Sequence, residues 1–391
     1  MELDVKRPIR LVPSYSLTGD LVSFKRCALQ YRFSNLSALP PSRPVQMWFG
    51  EFVHGVMEAA FALWKSGKAP PLPWDCTMTP YRGQAPAGRP AHDLGTIGEM
   101  IEGALERQQK TPRNEDARNS GYERIKVAVN RLGPHLFPLI AEAEQRVIGT
   151  RVFPPPASGP SLRADRYELT GVIDVLTHVE LASIPHSNVI KAAVQAACPT
   201  LTGNFEVIVD YKGSRRPPTN HEYWTWGDWQ VQTYAWLRGR QPGALPVVAG
   251  ILIYVNELSP NSGDLSSLKS QMKSGTTDVV PVPGTPDHYF LSAWKPGNAT
   301  DGLSEAFRMA RAIRVIPIDA KSIKNATDSF DQVVQEIEVN VANEAIVGNI
   351  KKVWAPTCSD EETCVACDLR THCPKPAGSA TFGPPSAPFA P

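Results

Sequence analysis

The chain has 391 residues, enough for one large domain with insertions or for two domains. Its 40 Lys and Arg against 39 Asp and Glu leave a formal charge of +1, which excludes a global basic field and confines any nucleic-acid surface to a local patch. The apolar fraction of 42% is ordinary for a globular protein, no apolar run is long enough to span a bilayer, and the charged N-terminus is unlike a signal peptide; a cytoplasmic protein with no membrane partner is expected.

Residues 1–12 read as an opening strand or arm. Leu21, Phe24 and Ala28 fall at helical spacing and place Cys27 on a short helix. From Met47 to Trp64, Phe49, Phe52, Val53, Val56, Ala60, Leu63 and Trp64 form a broad apolar stripe on a helix, with His54 on or beside it. A Pro- and Gly-rich loop is expected over 67–93. A helical region follows from about Leu94 to Ala143, broken at Gly133-Pro134. Strands are expected at Glu144–Phe153 and at Tyr167–Leu176, the second carrying Asp174.

The next strand is Phe205-Glu206-Val207-Ile208-Val209, ending in Asp210-Tyr211-Lys212-Gly213. Side chains two apart on a strand share a face, so Asp210 and Lys212 project together at its end. A carboxylate and an ammonium placed side by side suit a metal-dependent hydrolase, one holding a cation and the other meeting developing negative charge. A solvated ion pair at a strand end fits the same two residues. Beyond it, Gln230 and Tyr234 share one face of a Trp-rich helix. Arg215 and Arg216, interleaved with Tyr223, Trp224, Trp226 and Trp229, suit a single-stranded nucleic acid through phosphate pairing and base stacking, or equally a Trp-rich core edge. A strand at Val247–Val255, surface insertions at about 182–204 and 259–287, and helices at Asp301–Ile313 and about Ser329–Val341 complete the expected elements. The tail from Pro374 is expected to be disordered.

Of seven cysteines, Cys358, Cys364, Cys367 and Cys373 crowd the C-terminal end, which reads as metal ligation rather than a disulfide framework. Cys364-x2-Cys367-x5-Cys373 with one more ligand suits tetrahedral zinc or a [4Fe-4S] cluster. Cys358 as the fourth would make the site local, whereas Cys27 would pin the first helix to the last loop.

In order, Gly50-x3-His54, Gly171-x2-Asp174, Asp210-Tyr211-Lys212-Gly213 and Gln230-x3-Tyr234 resemble the RecB-like branch of the PD-(D/E)XK nuclease superfamily. The cysteine frame resembles its iron–sulfur subgroup, which includes the AddB nuclease domain and the RecB-like nucleases of CRISPR adaptation. The resemblance spans about residues 14–374; the two insertions have no counterpart in it. It implies an α/β fold with a restriction-endonuclease-like core, a mixed central sheet flanked by helices, with a helical insertion and a C-terminal cysteine cluster. One nuclease domain over 1–374 is expected, followed by the tail 375–391.

The resemblance also implies a chemistry. His54, Asp174, Asp210 and the carbonyl of Tyr211 would hold Mg²⁺ or Mn²⁺, with Glu144 as an extra acid on the first core strand. Lys212 would orient the attacking water or stabilise the phosphate, supported by Gln230 and Tyr234. Cys27, Cys364, Cys367 and Cys373 would hold a [4Fe-4S] cluster. The implied partners are DNA, single-stranded or with free ends, contacted by Arg215, Arg216 and Trp226, and a helicase or defence-complex protein. A non-catalytic, cluster-stabilised DNA-binding subunit is the competing expectation, opposed by the complete set His54, Asp174, Asp210 and Lys212.

Overall fold

The computed structural model describes residues 11–37, 46–80, 83, 87–154, 162–180, 183–358, 364, 367, 369–370 and 373–374. Residues 1–10 of the expected opening arm and the expected tail 375–391 lie outside the described residues. The frame is a six-stranded mixed sheet of β1 (Ser14–Ser16), β2 (Ile140–Val152), β3 (Arg166–Glu180), β4 (Asn204–Lys212), β5 (Val247–Tyr254) and β6 (Ile313–Pro317). Helices cover both faces, which gives an α/β architecture. On one face lie α1 (Gln46–Lys65), α2 (Leu94–Glu106), α3 (Glu115–Leu136) and α4 (Val189–Ala197). On the other lie α5 (Glu222–Arg238) and, further along the chain, the long helix Ala320–Val347.

β4 is buried on both sides, which explains its nearly continuous apolar run. Val207, Val209 and Tyr211 enter the core under α1 and α3, while Ile208 enters the core under α5. Glu206 shares the second face and is neutralised by Arg238 through two hydrogen bonds of 2.7 Å. Gln230, Tyr234 and Arg238, four apart, form one stripe of α5 that faces the sheet.

The strand that organises the site is β3. β2 pairs antiparallel along one edge of it, from Val152↔Arg166 to Ile140↔Thr177. The other edge is divided: β1 pairs with residues 168–170 in parallel, and β4 pairs with residues 175–180 antiparallel. Asp174 falls in the gap, immediately before β4 takes over the edge. The faces also exchange there. Tyr167, Leu169 and Ile173 point into the α5 core, but Val175 and Val179 point into the α1 core. Opposite, Glu144 adopts the left-handed region with φ of 51°, so both strands kink at the same level.

Several expected elements differ. The helix predicted up to Ala143 ends at Leu136; α3 runs through Pro134 in its last turn and gives way to the turn Phe137–Leu139, which carries Pro138. β2 starts at Ile140 rather than Glu144. The insertion at 182–204 folds back as α4, whose Ile190 and Val194 are core residues. The insertion at 259–287 contains α6 (Ser262–Ser274) and leads into α7 (Pro286–Ala293); with α8 (Glu305–Ala312) they enclose a satellite core of Leu265, Leu268, Leu291, Trp294 and Phe307. The helix expected over Asp301–Ile313 is shorter, because Ser304 caps α8 and the β-branched Ile313-Arg314-Val315-Ile316 becomes β6, a strand absent from the expectation. The last long helix, α9 (Ala320–Val347), has 28 residues, closed by a left-handed Gly348 and followed by α10 (Ile350–Val353). Among the described residues, no helix is long and apolar enough to cross a membrane.

Candidate metal centre

His54 projects from α1 towards the kink. Its Nε2 lies 2.9 Å from the carbonyl oxygen of Tyr211, and its Nδ1 lies 3.4 Å from Asp174 Oδ2. The same Asp174 oxygen accepts the backbone N–H of Tyr211 at 3.1 Å, filling the place where the β3–β4 ladder stops. Glu144 completes the group. The ligand atoms of His54, Glu144 and Asp174 all lie within 4.8 Å of one another, the one such group of three or more His, Cys, Asp or Glu among the described residues.

The electrostatics match an anion-rich cluster. Burial pulls the His54 pKa down, but the hydrogen bond and charge of Asp174 and the charge of Asp210 outweigh it and carry the pKa to about 9. Burial, then Asp174, pushes the Glu144 carboxyl above the usual carboxylate range. Three carboxylates around one imidazole leave negative charge that a hard cation would neutralise, and the oxygen-rich donor set with one nitrogen fits Mg²⁺ or Mn²⁺.

Asp210 lies on the other side of Tyr211. It points with Lys212 towards α5, as strand periodicity predicts. Gln230 Nε2 donates to Asp210 Oδ1 at 2.8 Å, Lys212 Nζ donates to Gln230 Oε1 at 2.6 Å, and Lys212 Nζ stands 2.6 Å from Asp210 Oδ2. This ring fixes the orientation of the Gln230 amide, because its oxygen faces an ammonium and its nitrogen a carboxylate. Burial opposes the Lys212 charge, but Asp210 beside it holds the pKa above the ordinary lysine value. Burial, reinforced by Asp174 and opposed by Lys212, raises the Asp210 carboxyl. Of the expected ligands, His54, Asp174 and the additional acid Glu144 gather into one group, with the Tyr211 carbonyl beside His54, while Asp210 is held by Lys212 and Gln230.

Tyr234, one turn beyond Gln230, is buried against Gly171. A Cβ at position 171 would stand 2.6 Å from Tyr234 Cε1, so glycine is required for the ring to lie on β3. Gly171→Ala is expected to destabilise the fold by about 1–3 kcal/mol through overpacking, measured as a shift of the urea midpoint at unchanged slope. An unchanged midpoint would remove this contact as a determinant of the α5 position.

The proposed nucleic-acid residues part company. Arg215 is a third exposed and donates to Asp264. Arg216 is corrected: it is 2% exposed, paired with Asp278 and bonded to the carbonyl of Arg311, so it is a core residue turned away from solvent. Trp224 is covered by Arg314, whose guanidinium carbon is 3.3 Å from the ring centre, and the indole N–H of buried Trp229 donates to the Ala326 carbonyl. Trp226 remains half-buried, meeting Tyr223 edge-on and lining a cleft of about 280 Å³ with Lys25 and Gln232.

Cys27, Cys358 and Cys373 share one hydrophobic core, whereas Cys76 packs against another. Cys27 breaks the expected N-terminal helix with φ of −162° and ψ of 111°, between Ser23–Arg26 and Ala28–Tyr31. The following turn is tied to the C-terminal segment: Ala28 N donates to Thr357 Oγ1 at 3.0 Å and Leu29 N to the Ala355 carbonyl at 3.1 Å. Cys358 and Cys373 pack against the core that contains Cys27, and Cys367 N donates to the Cys364 carbonyl at 3.2 Å.

No family model and no curated protein matches this chain. Among solved structures, the chain is similar to one titled "Crystal structure of SSO0001", at 11% identity over 95% of this chain and 91% of that one. The TM-score is 0.28, too low to carry any conclusion about fold or function.

Proposed function

We propose that the chain is a divalent-metal-dependent deoxyribonuclease of the PD-(D/E)XK type, its sheet serving as a restriction-endonuclease-like core, acting on single-stranded DNA or DNA ends. The observation that carries the proposal is the pair of half-sites at the end of β4. His54, Asp174 and Glu144 gather on one side of Tyr211, and Lys212, Asp210 and Gln230 close a ring on the other. His54, Asp174, Glu144 and the Tyr211 carbonyl would hold Mg²⁺ or Mn²⁺, with Asp210 adjoining; bound there, the ion polarises a phosphate and acidifies a water. Lys212 contributes a fixed positive donor for a phosphate oxygen. Gln230 aims that donor, and Asp210 keeps it protonated. Cys27, Cys364, Cys367 and Cys373 are proposed to hold a [4Fe-4S] cluster, and a helicase or defence-complex protein is the proposed partner.

End-labelled single- and double-stranded DNA incubated with Mn²⁺ tests the proposal. Cleavage in Mn²⁺ and none in EDTA is expected, and DNA left intact by Mn²⁺ and Mg²⁺ alike would sink it. Mn²⁺ at a hundredfold excess over its dissociation constant is also expected to stabilise the fold by about 2.7 kcal/mol, and His54→Ala should abolish that rise in melting temperature.

A further inference from the structure

The group around Asp264 is out of balance in charge. Asp264, 3% exposed, belongs to the first turn of α6 in the insertion after β5. Arg124 of α3 donates to its Oδ2 at 2.7 Å, and Arg215 donates from Nε to its Oδ1 at 2.5 Å. Two guanidinium ions therefore share one carboxylate. Their neighbours do not supply the missing anion, since Arg216 is taken by Asp278 and Arg311 by Glu257 through two bonds of 3.0 Å. Arg124 is 1% exposed on its side chain, and its Nε and Nη1 have no partner. A buried cation without full compensation is costly unless something else supplies the anion. Arg215 is the member of the group that reaches solvent, with its side chain 33% exposed and Asp264 its one acceptor among the described residues.

The group is also built to hold Arg215 in place. Its Nη2 lies over Gly263, where a Cβ would stand 2.6 Å away, so glycine leaves the guanidinium room to lie on the first turn of α6. Asp264 is itself fixed by a reciprocal cap with Asn261. Arg215 follows Lys212 by three residues, so their Cα atoms are at most about 11 Å apart. Gly213, between them, packs on Phe49 and Gly50 of α1, and His54 lies four residues beyond Gly50 on the same helical face. Phe49 lies in turn under the Arg124 guanidinium, 5.6 Å from its carbon. The cationic group and the metal-ligand group thus meet α1 at Phe49 and His54, about 7.5 Å of helix rise apart.

From this juxtaposition we infer that Arg215, splinted by Asp264 and Arg124, is a phosphate clamp that grips the DNA strand one or two nucleotides from the phosphate presented to Lys212. The inference rests on the nuclease reading and gives the insertion a task, since it brings Asp264 to the catalytic strand end. The planar fork of arginine suits a phosphate, and the surplus positive charge of the group is then met by the DNA backbone.

Binding of the full chain to a fluorescent oligo-dT, measured by anisotropy in EDTA between about 50 and 200 mM salt, separates the clamp from catalysis. Arg215→Gln should bind about tenfold more weakly and flatten the log–log salt dependence by about 0.7, the loss of one phosphate contact on a single strand. Arg215→Lys, which keeps the charge, should restore the slope, and Arg166→Gln, at the far end of β3, should leave it unchanged. Circular dichroism should show Arg215→Gln folded, because Arg124 still neutralises Asp264. Binding with an unchanged slope in Arg215→Gln overturns the clamp alone and leaves the nuclease reading standing. A wild-type chain that binds no DNA overturns both.

Discussion

Lys212→Ala is expected to lower Mn²⁺-dependent cleavage by about 10²–10³-fold, the loss typical of removing one preorganised donor from a reacting oxyanion. The preorganisation is visible in the ring of contacts. The ammonium is held at 2.6 Å by both the Gln230 oxygen and Asp210 Oδ2, so it stands charged and aimed before substrate arrives. Removing it also leaves Asp210, 3% exposed, without its cation, so a loss of stability accompanies the loss of rate. Asp210→Asn tests the other half of the ring. Its amide oxygen still accepts from Gln230, but the ammonium loses its counter-ion and meets an amide N–H₂, so stability is expected to fall as well while cleavage falls comparably. Single-turnover rates beside urea midpoints read both quantities. Cleavage within fivefold of wild type in both variants would show that the ring is structural and that the chemistry lies elsewhere.

The pairing of Asp210 with Lys212 was legible in the sequence because strand periodicity is local and strict. Gln230 and Tyr234 were legible for the same reason on a helix. What those two side chains do was less so: Tyr234 needs the empty space at Gly171, which a one-dimensional pattern marks only as a strand interruption. How Glu144 meets His54 and Asp174 depends on its left-handed backbone and on β3 giving one edge to two different strands. Neither has a sequence signal of its own, so Glu144, an exposed acid on its strand, is pointed to by the resemblance alone. An arginine's burial is illegible in sequence where its partners are distant in the chain. Arg216 looks like its neighbour Arg215, yet Asp278 and the carbonyl of Arg311 bury it. Glu206, which merely interrupted an apolar run, is the fixed partner of Arg238 on α5. β6 has no sequence boundary of its own, because its apolar residues follow α8 without a break and continue the helical pattern into Ile313.

Cys27→Ser is expected to cost the protein its metal group and much of its stability, whereas Cys358→Ser is expected to keep both. The two alternatives for the fourth ligand differ in what they tie together. Cys358 lies six residues from Cys364, so a site using it would close only a local loop. Cys27 lies in the first helical turns, and its extended backbone turns it into the core against which Cys358 and Cys373 pack. A cluster bridging Cys27 to Cys364 would close nearly the whole chain into one loop, by the disulfide analogy roughly 6 kcal/mol of unfolded-state restriction. Anaerobic purification of wild type, Cys27→Ser and Cys358→Ser, with iron, sulfide and zinc assayed beside visible absorption and melting temperature, decides the matter. A coloured wild type and a colourless, destabilised Cys27→Ser are expected. Stoichiometric zinc in a colourless wild type, or metal lost from Cys358→Ser but retained in Cys27→Ser, would place the site within the C-terminal loop and leave the two chain ends joined only by the hydrogen bonds of Ala28 and Leu29 and the packing around them.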